Sequence, residues 1–67
     1  MGEKYDQLYS EVIDLEAKAK ELKRKSEDPS LHQYQRDQYY WDYKALMEEI
    51  DDKRYYLDMH AAELLNQ

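Results

Sequence analysis

Ser26-Glu27-Asp28-Pro29-Ser30 is the one punctuation mark in a chain of 67 residues, and its reading decides the fold. It holds the only proline, while the only glycine, Gly2, lies at the far end of the preceding segment. Pro29 disfavours a helical conformation at Asp28. Asp28 can then serve as an N-cap with Pro29 at the first helical position, or Ser30 and Gln33 can form a capping box. Either choice starts a second helix near residue 30. A link of about three residues, 27–29, turns two helices antiparallel, the geometry of an αα-hairpin.

Upstream of the break, Tyr5, Leu8, Val12, Leu15, Ala19 and Leu22 recur at alternating spacings of three and four. That is a heptad seam, and it predicts a first helix over 3–26. Tyr9 and Ile13 widen the apolar stripe near its start. Asp14 and Lys18, Glu16 and Lys20, and Glu21 and Lys25 each set an acid four residues before a base, a pairing worth about 0.2–0.5 kcal/mol. Downstream, over 30–66, Tyr39, Tyr43, Leu46, Ile50, Leu57 and Leu64 form a second seam, with Lys53 and His60 in its gaps. A hairpin midpoint at residue 28 sets Leu15 beside Tyr40, Val12 beside Tyr43 and Tyr5 beside Ile50. Leu57, Leu64 and Leu65 are then left beyond the reach of the first helix.

The second helix carries another stripe. Trp41, Tyr55, Met59 and Ala62 project roughly opposite the seam, interrupted by Glu48 and Asp52. A hairpin covers only one stripe. The expected fold is therefore all-α: one helical domain over 1–67, an antiparallel two-helix hairpin with a short first helix and a long second one. A second copy completes it as a homodimer, a four-helix bundle or coiled coil, with self-association through Ile50, Leu57, His60, Leu64 and Leu65. The alternative is a three-helix bundle monomer with a break near Asp51-Asp52-Lys53.

Composition narrows the function classes. Cysteine is absent, which excludes disulfide scaffolds and Cys-based zinc fingers, and a single glycine excludes a Gly-rich phosphate loop. Sixteen acids against ten bases give a net charge of −6. That balance disfavours nucleic acid and anionic lipid, and favours a basic protein surface. Eight tyrosines and one tryptophan argue against disorder despite a mean hydropathy of −1.22. No apolar run approaches the roughly 20 residues of a membrane span, so the expectation is a cytoplasmic protein without membrane contact.

Candidate sites follow from local patterns. Lys18 to Lys25 holds five bases and one acid, an arrangement that complements the macrodipole at a helix C-terminus. His60 stands one turn from Tyr56 and Glu63, but the Glu-x-x-His and His-Glu-x-x-His orders of metal-binding helices are missing, so neither metal nor cofactor is expected. Without Cys, a Ser beside a base or a glycine loop, no enzyme is expected either. Residues 33–43 carry five aromatics, of which Tyr39 and Tyr43 face the first helix, Tyr34 and Trp41 point away, and Tyr40 lies to one side. Tyr, Trp and Arg dominate binding hot spots. Tyr34, Arg36, Tyr40 and Trp41, with the acids Asp37, Glu48, Asp51 and Asp52, are therefore the expected partner-binding residues.

These features predict a non-catalytic protein-binding module, a small acidic adaptor or inhibitor whose second helix meets a partner with a basic or grooved surface. No motif marks a family. The size, acidity and aromatic content resemble small accessory proteins encoded by bacteriophages and other mobile elements. One alternative is an inhibitor of a nucleic-acid-binding host enzyme acting by DNA mimicry, with Asp37, Asp42, Glu48, Glu49, Asp51, Asp52 and Asp58 set along one helix as carboxylates at phosphate-like spacing. The other alternative is a purely structural oligomerisation element.

Overall fold

The computed structural model describes residues 2–66, in which the two seams become two helices. Helix α1 spans Glu3–Ser26 and helix α2 spans Gln33–Leu65. α2 runs unbroken through Asp51, Asp52 and Lys53, which removes the three-helix alternative. The helices pack side by side along their whole shared length. Val12 and Ala19 from α1 meet Ile50, Leu57 and Leu64 from α2 in a buried row, flanked by half-buried Tyr5, Leu8, Leu15, Tyr43, Leu46 and Met47. The heptad spacing explains this row, since residues seven apart return to the same line on a helix and face the neighbouring seam.

The register differs from the one the sequence suggests. A Cβ on Gly2 would lie 3.6 Å from a Leu65 methyl, Lys53 Nζ sits 3.8 Å from Glu11 Oε2, and Arg54 Nη2 donates to Glu16 Oε2 at 2.6 Å. These pairs set the open end of the hairpin flush. Ile50, Leu57 and Leu64 are accordingly covered by α1 of the same chain, with 1%, 5% and 3% of their surface exposed. They are not an uncovered seam waiting for a second copy. Gly2 adopts φ 77°, a left-handed conformation that glycine reaches without a Cβ penalty, and its carbonyl accepts the Asp6 N–H at 2.9 Å.

The reason lies in the link. At 1.5 Å per residue α1 is about 36 Å long and α2 about 49 Å, and the long dimension of the molecule is 49 Å. The excess of α2 falls entirely at the loop end, where residues 27–32 climb along its first turns instead of closing a tight bend. α1 ends as the Glu27 and Asp28 N–H groups donate to Arg24 O and Lys25 O, and the Ser26 hydroxyl donates to Lys23 O. Asp28 does not cap α2. Its Oδ1 accepts from the Ser30 N–H at 2.9 Å and the Ser30 hydroxyl at 2.7 Å, which folds the loop on itself. The cap is His32: its Nδ1 accepts the Tyr34 N–H at 3.1 Å, and its own N–H donates to Gln35 Oε1 at 3.2 Å. This reciprocal box starts α2 two residues later than the Ser30 and Gln33 box would.

Two predictions follow from this arrangement. Leu57→Ala should cost about 2–5 kcal/mol in urea unfolding of the isolated chain, as for a leucine removed from a core, whereas a Leu57 beyond α1 would cost far less. Asp28 responds to pH. The Ser30 hydroxyl, then the Ser30 N–H, and then the charges of Arg24 and Arg36 hold its carboxyl below the usual aspartate value. A depressed folded value contributes stability above the ordinary carboxylate range and loses it as pH falls through the folded value. The melting temperature of Asp28→Asn, which keeps the acceptor, should therefore fall less steeply than that of the parent below about pH 4.

Candidate partner interface

The seam leaves α2 with an outer face that nothing among the described residues covers. Tyr34, Trp41, Glu48, Tyr55 and Ala62 recur every seven residues and so share one line on that face, about 10 Å apart. Tyr34, Trp41, Tyr55 and the adjacent Met59 are 74%, 67%, 68% and 62% exposed. Tyr40 is less exposed and packs its ring edge-on against Trp41, with centroids 5.7 Å apart and planes at 72°. Tyr39 and Tyr43 turn inward instead and receive Lys25 Nζ at 5.3 Å and Lys23 Nζ at 6.0 Å over their rings. The residues flanking Trp41 thus divide between the seam and the outer face as helical spacing dictates.

Carboxylates border the stripe. Asp37, Glu48, Asp51 and Asp52 are all exposed; Asp37 accepts from Gln33 Nε2 at 2.9 Å, and Glu48 interrupts the aromatic line itself. Arg36 departs from expectation. It stands on the seam stripe, seven residues before Tyr43, half-buried, with Nη2 donating to Gln33 Oε1 at 3.1 Å and a buried Nε that has no hydrogen-bond partner. Its position there rather than on the outer face takes it out of the expected contact set.

The residues assigned to self-association also fall elsewhere. Ile50, Leu57 and Leu64 belong to the core already described. His60 is half-buried, with its ring 4.5 Å from Tyr56 and Nδ1 3.3 Å from Glu63 Oε2. Leu65 is 51% exposed at the open end beside Gly2. Lys53 pairs with Glu11 of its own chain. The predicted i,i+4 pairs do not form among the described residues: Glu16 turns across to Arg54, and Glu21 takes Arg24 three residues on, with Nη2 to Oε1 at 2.6 Å. The planar guanidinium forks outcompete the lysines for these carboxylates. The Arg24 hydrogen bond lowers the Glu21 carboxyl, and the Glu16 hydrogen bond raises the Arg54 guanidinium.

The long sides of the hairpin are unlike each other. On one, a groove of about 380 Å³ is lined by Tyr5, Tyr9, Ile13 and Leu57 with Asp58 at its rim, and closes at the Glu16 and Arg54 pair. Tyr5 and Tyr9 stack there with ring centroids 6.1 Å apart. The other side sets Leu15, Leu22, Ala45 and Leu46 among the charges of Glu11, Asp14, Lys18, Asp42 and Glu49 beside the seam. The widened stripe at Tyr9 and Ile13 was the sequence signal for the groove they line.

Among the described residues no group of three or more His, Asp or Glu side chains is placed to hold a metal ion, and no helix is long and apolar enough to cross a membrane. Comparison with family models, with curated proteins and with solved structures yields no match.

Proposed function

We propose that this chain is a non-catalytic protein-binding module, a small acidic adaptor or inhibitor that acts in the cytoplasm through the outer face of α2. The carrying observation is the exposed line of Tyr34, Trp41 and Tyr55, continued by Met59, on a helix whose opposite face is locked into the seam. A regular helix holds these rings in fixed relative positions, so little backbone freedom is lost when they dock. Large aromatic side chains supply most of the energy at protein interfaces. Asp37, Glu48, Asp51 and Asp52 border the rings with negative charge, which suits an apolar groove rimmed by Lys and Arg. Such charge raises the association rate and selects the partner more than it adds affinity. The groove of a nucleic-acid-handling enzyme is one surface of this kind.

Affinity purification from the source cells with the parent chain and with Trp41→Ala tests this reading. A protein retained by the parent should bind Trp41→Ala at least about 30-fold more weakly, the loss of a hot-spot residue worth about 2 kcal/mol or more. The melting temperature should barely change, because Trp41 lies off the seam. Asp51→Asn/Asp52→Asn should slow association and flatten its salt dependence, and duplex DNA should compete only if the partner's groove is a nucleic-acid site. A partner that binds Trp41→Ala and Tyr34→Ala as tightly as the parent contradicts the proposal.

A further inference from the structure

The side groove at Tyr9 and Ile13 has a charge pattern that matches itself when reversed. On α1, Ile13 and Lys20 fall on the edge of this side, seven residues apart; on α2 the equivalent edge carries Lys44, Asp51 and Asp58. The lining places Ile13 and Asp58 at the open end beside the paired Arg54 and Glu16, and Lys20 and Lys23 along the continuation beside Tyr43 and Met47. With Arg54 neutralised by Glu16, the open half of the face carries the unpaired acids Asp51 and Asp58, and the loop half the bases Lys20, Lys23 and Lys44. Tyr9 and Ile13 remain 50% and 47% exposed there, and Tyr40 45% at the loop end.

We propose that this side is a self-pairing face on which a second copy of the chain docks with its ends reversed, about a two-fold axis lying across the helices. Reversal sets each helix on its own copy and drops Lys44 between Asp51 and Asp58 of the second copy. The basic half of each hairpin then covers the acidic half of the other. Pairing with the ends aligned instead brings Lys20 and Lys23 onto Lys44 and sets acid against acid, so charge selects one orientation. Area is sufficient: a face of 49 by 15 Å offers roughly 700 Å² per copy, near the about 800 Å² per partner of stable interfaces.

The single chain also has cause to pair. Its core is one row of side chains, and its radius of gyration is 15.3 Å, against about 11 Å for a compact chain of this length. Pairing along this side converts that row into the centre of a four-helix bundle. This dimer differs from one formed by a protruding end of α2, because the open end is flush. Tyr34, Trp41 and Tyr55 stay outside and free, whereas Asp51 and Tyr40 stand on the border of both surfaces, so Trp41→Ala and Tyr34→Ala test the outer face alone and Lys44→Glu tests the pairing face alone.

Sedimentation equilibrium over a hundredfold dilution tests the proposal, with Trp41 fluorescence recorded on the same samples. The parent should form a dimer whose Trp41 emission does not shift on dissociation. Ile13→Lys, an exposed site that would meet the basic half of the second copy, should weaken the dimer more than tenfold with helical circular dichroism retained. Lys44→Glu should do likewise, and mixing it with Asp51→Lys/Asp58→Lys should restore a heterodimer. A monomer at every concentration overturns the proposal, as does a dimer indifferent to Ile13→Lys or one whose dissociation shifts Trp41 emission.

Discussion

Everything in this molecule depends on the register with which α1 lies along α2. A slip of one heptad would keep apolar residues facing each other but would leave about two turns of α2 bare at the open end. The observed register is the one in which the whole buried row, from Ala19 and Ile50 to Val12, Leu57 and Leu64, is covered within a single chain. It is held by few polar contacts. The Arg54 to Glu16 and Lys53 to Glu11 pairs are substantially exposed and so contribute modestly; burial of the seam supplies the main force. The loop follows from this packing: residues 27–32 bridge the length that α1 lacks.

With the seam closed, the outer line of α2 presents rings with acids around them, and the side that carries Tyr9 and Ile13 presents exposed apolar residues between charged edges. On the two readings proposed, each of these is a surface for another macromolecule. Rigid helices make such surfaces well suited to recognition, since the seam holds both the stripe and the groove without further ordering.

The sequence made much of this legible. Period-seven spacing located both helices and sorted Tyr34 and Trp41 from Tyr39 and Tyr43, because side-chain direction on a helix is a matter of angle alone. The limits of α1 were readable from its unbroken pattern up to Pro29. The register was not. It depends on how far the link travels along the axis: Asp28 and Ser30 announce a turn but not its extent, and histidine is not among the usual N-caps. Once the midpoint was set at residue 28, Leu57 and Leu64 became an apparent overhang and drew the self-association assignment toward the end of the chain. Arg36 was misassigned for another reason: hot-spot composition favours arginine, while its heptad position puts it on the seam.

The most direct test of the account is an isotope-filtered NOE measurement on the chain at a concentration where it is monomeric, with the Val12 and leucine methyls labelled. The account predicts intramolecular cross-peaks between the Val12 and Leu57 methyls, since both lie in the same stretch of the seam. Cross-peaks from Val12 to the Tyr43 ring, with Leu57 showing no contact to α1, would contradict it. They would return the hairpin to a midpoint near residue 28, with the end of α2 exposed.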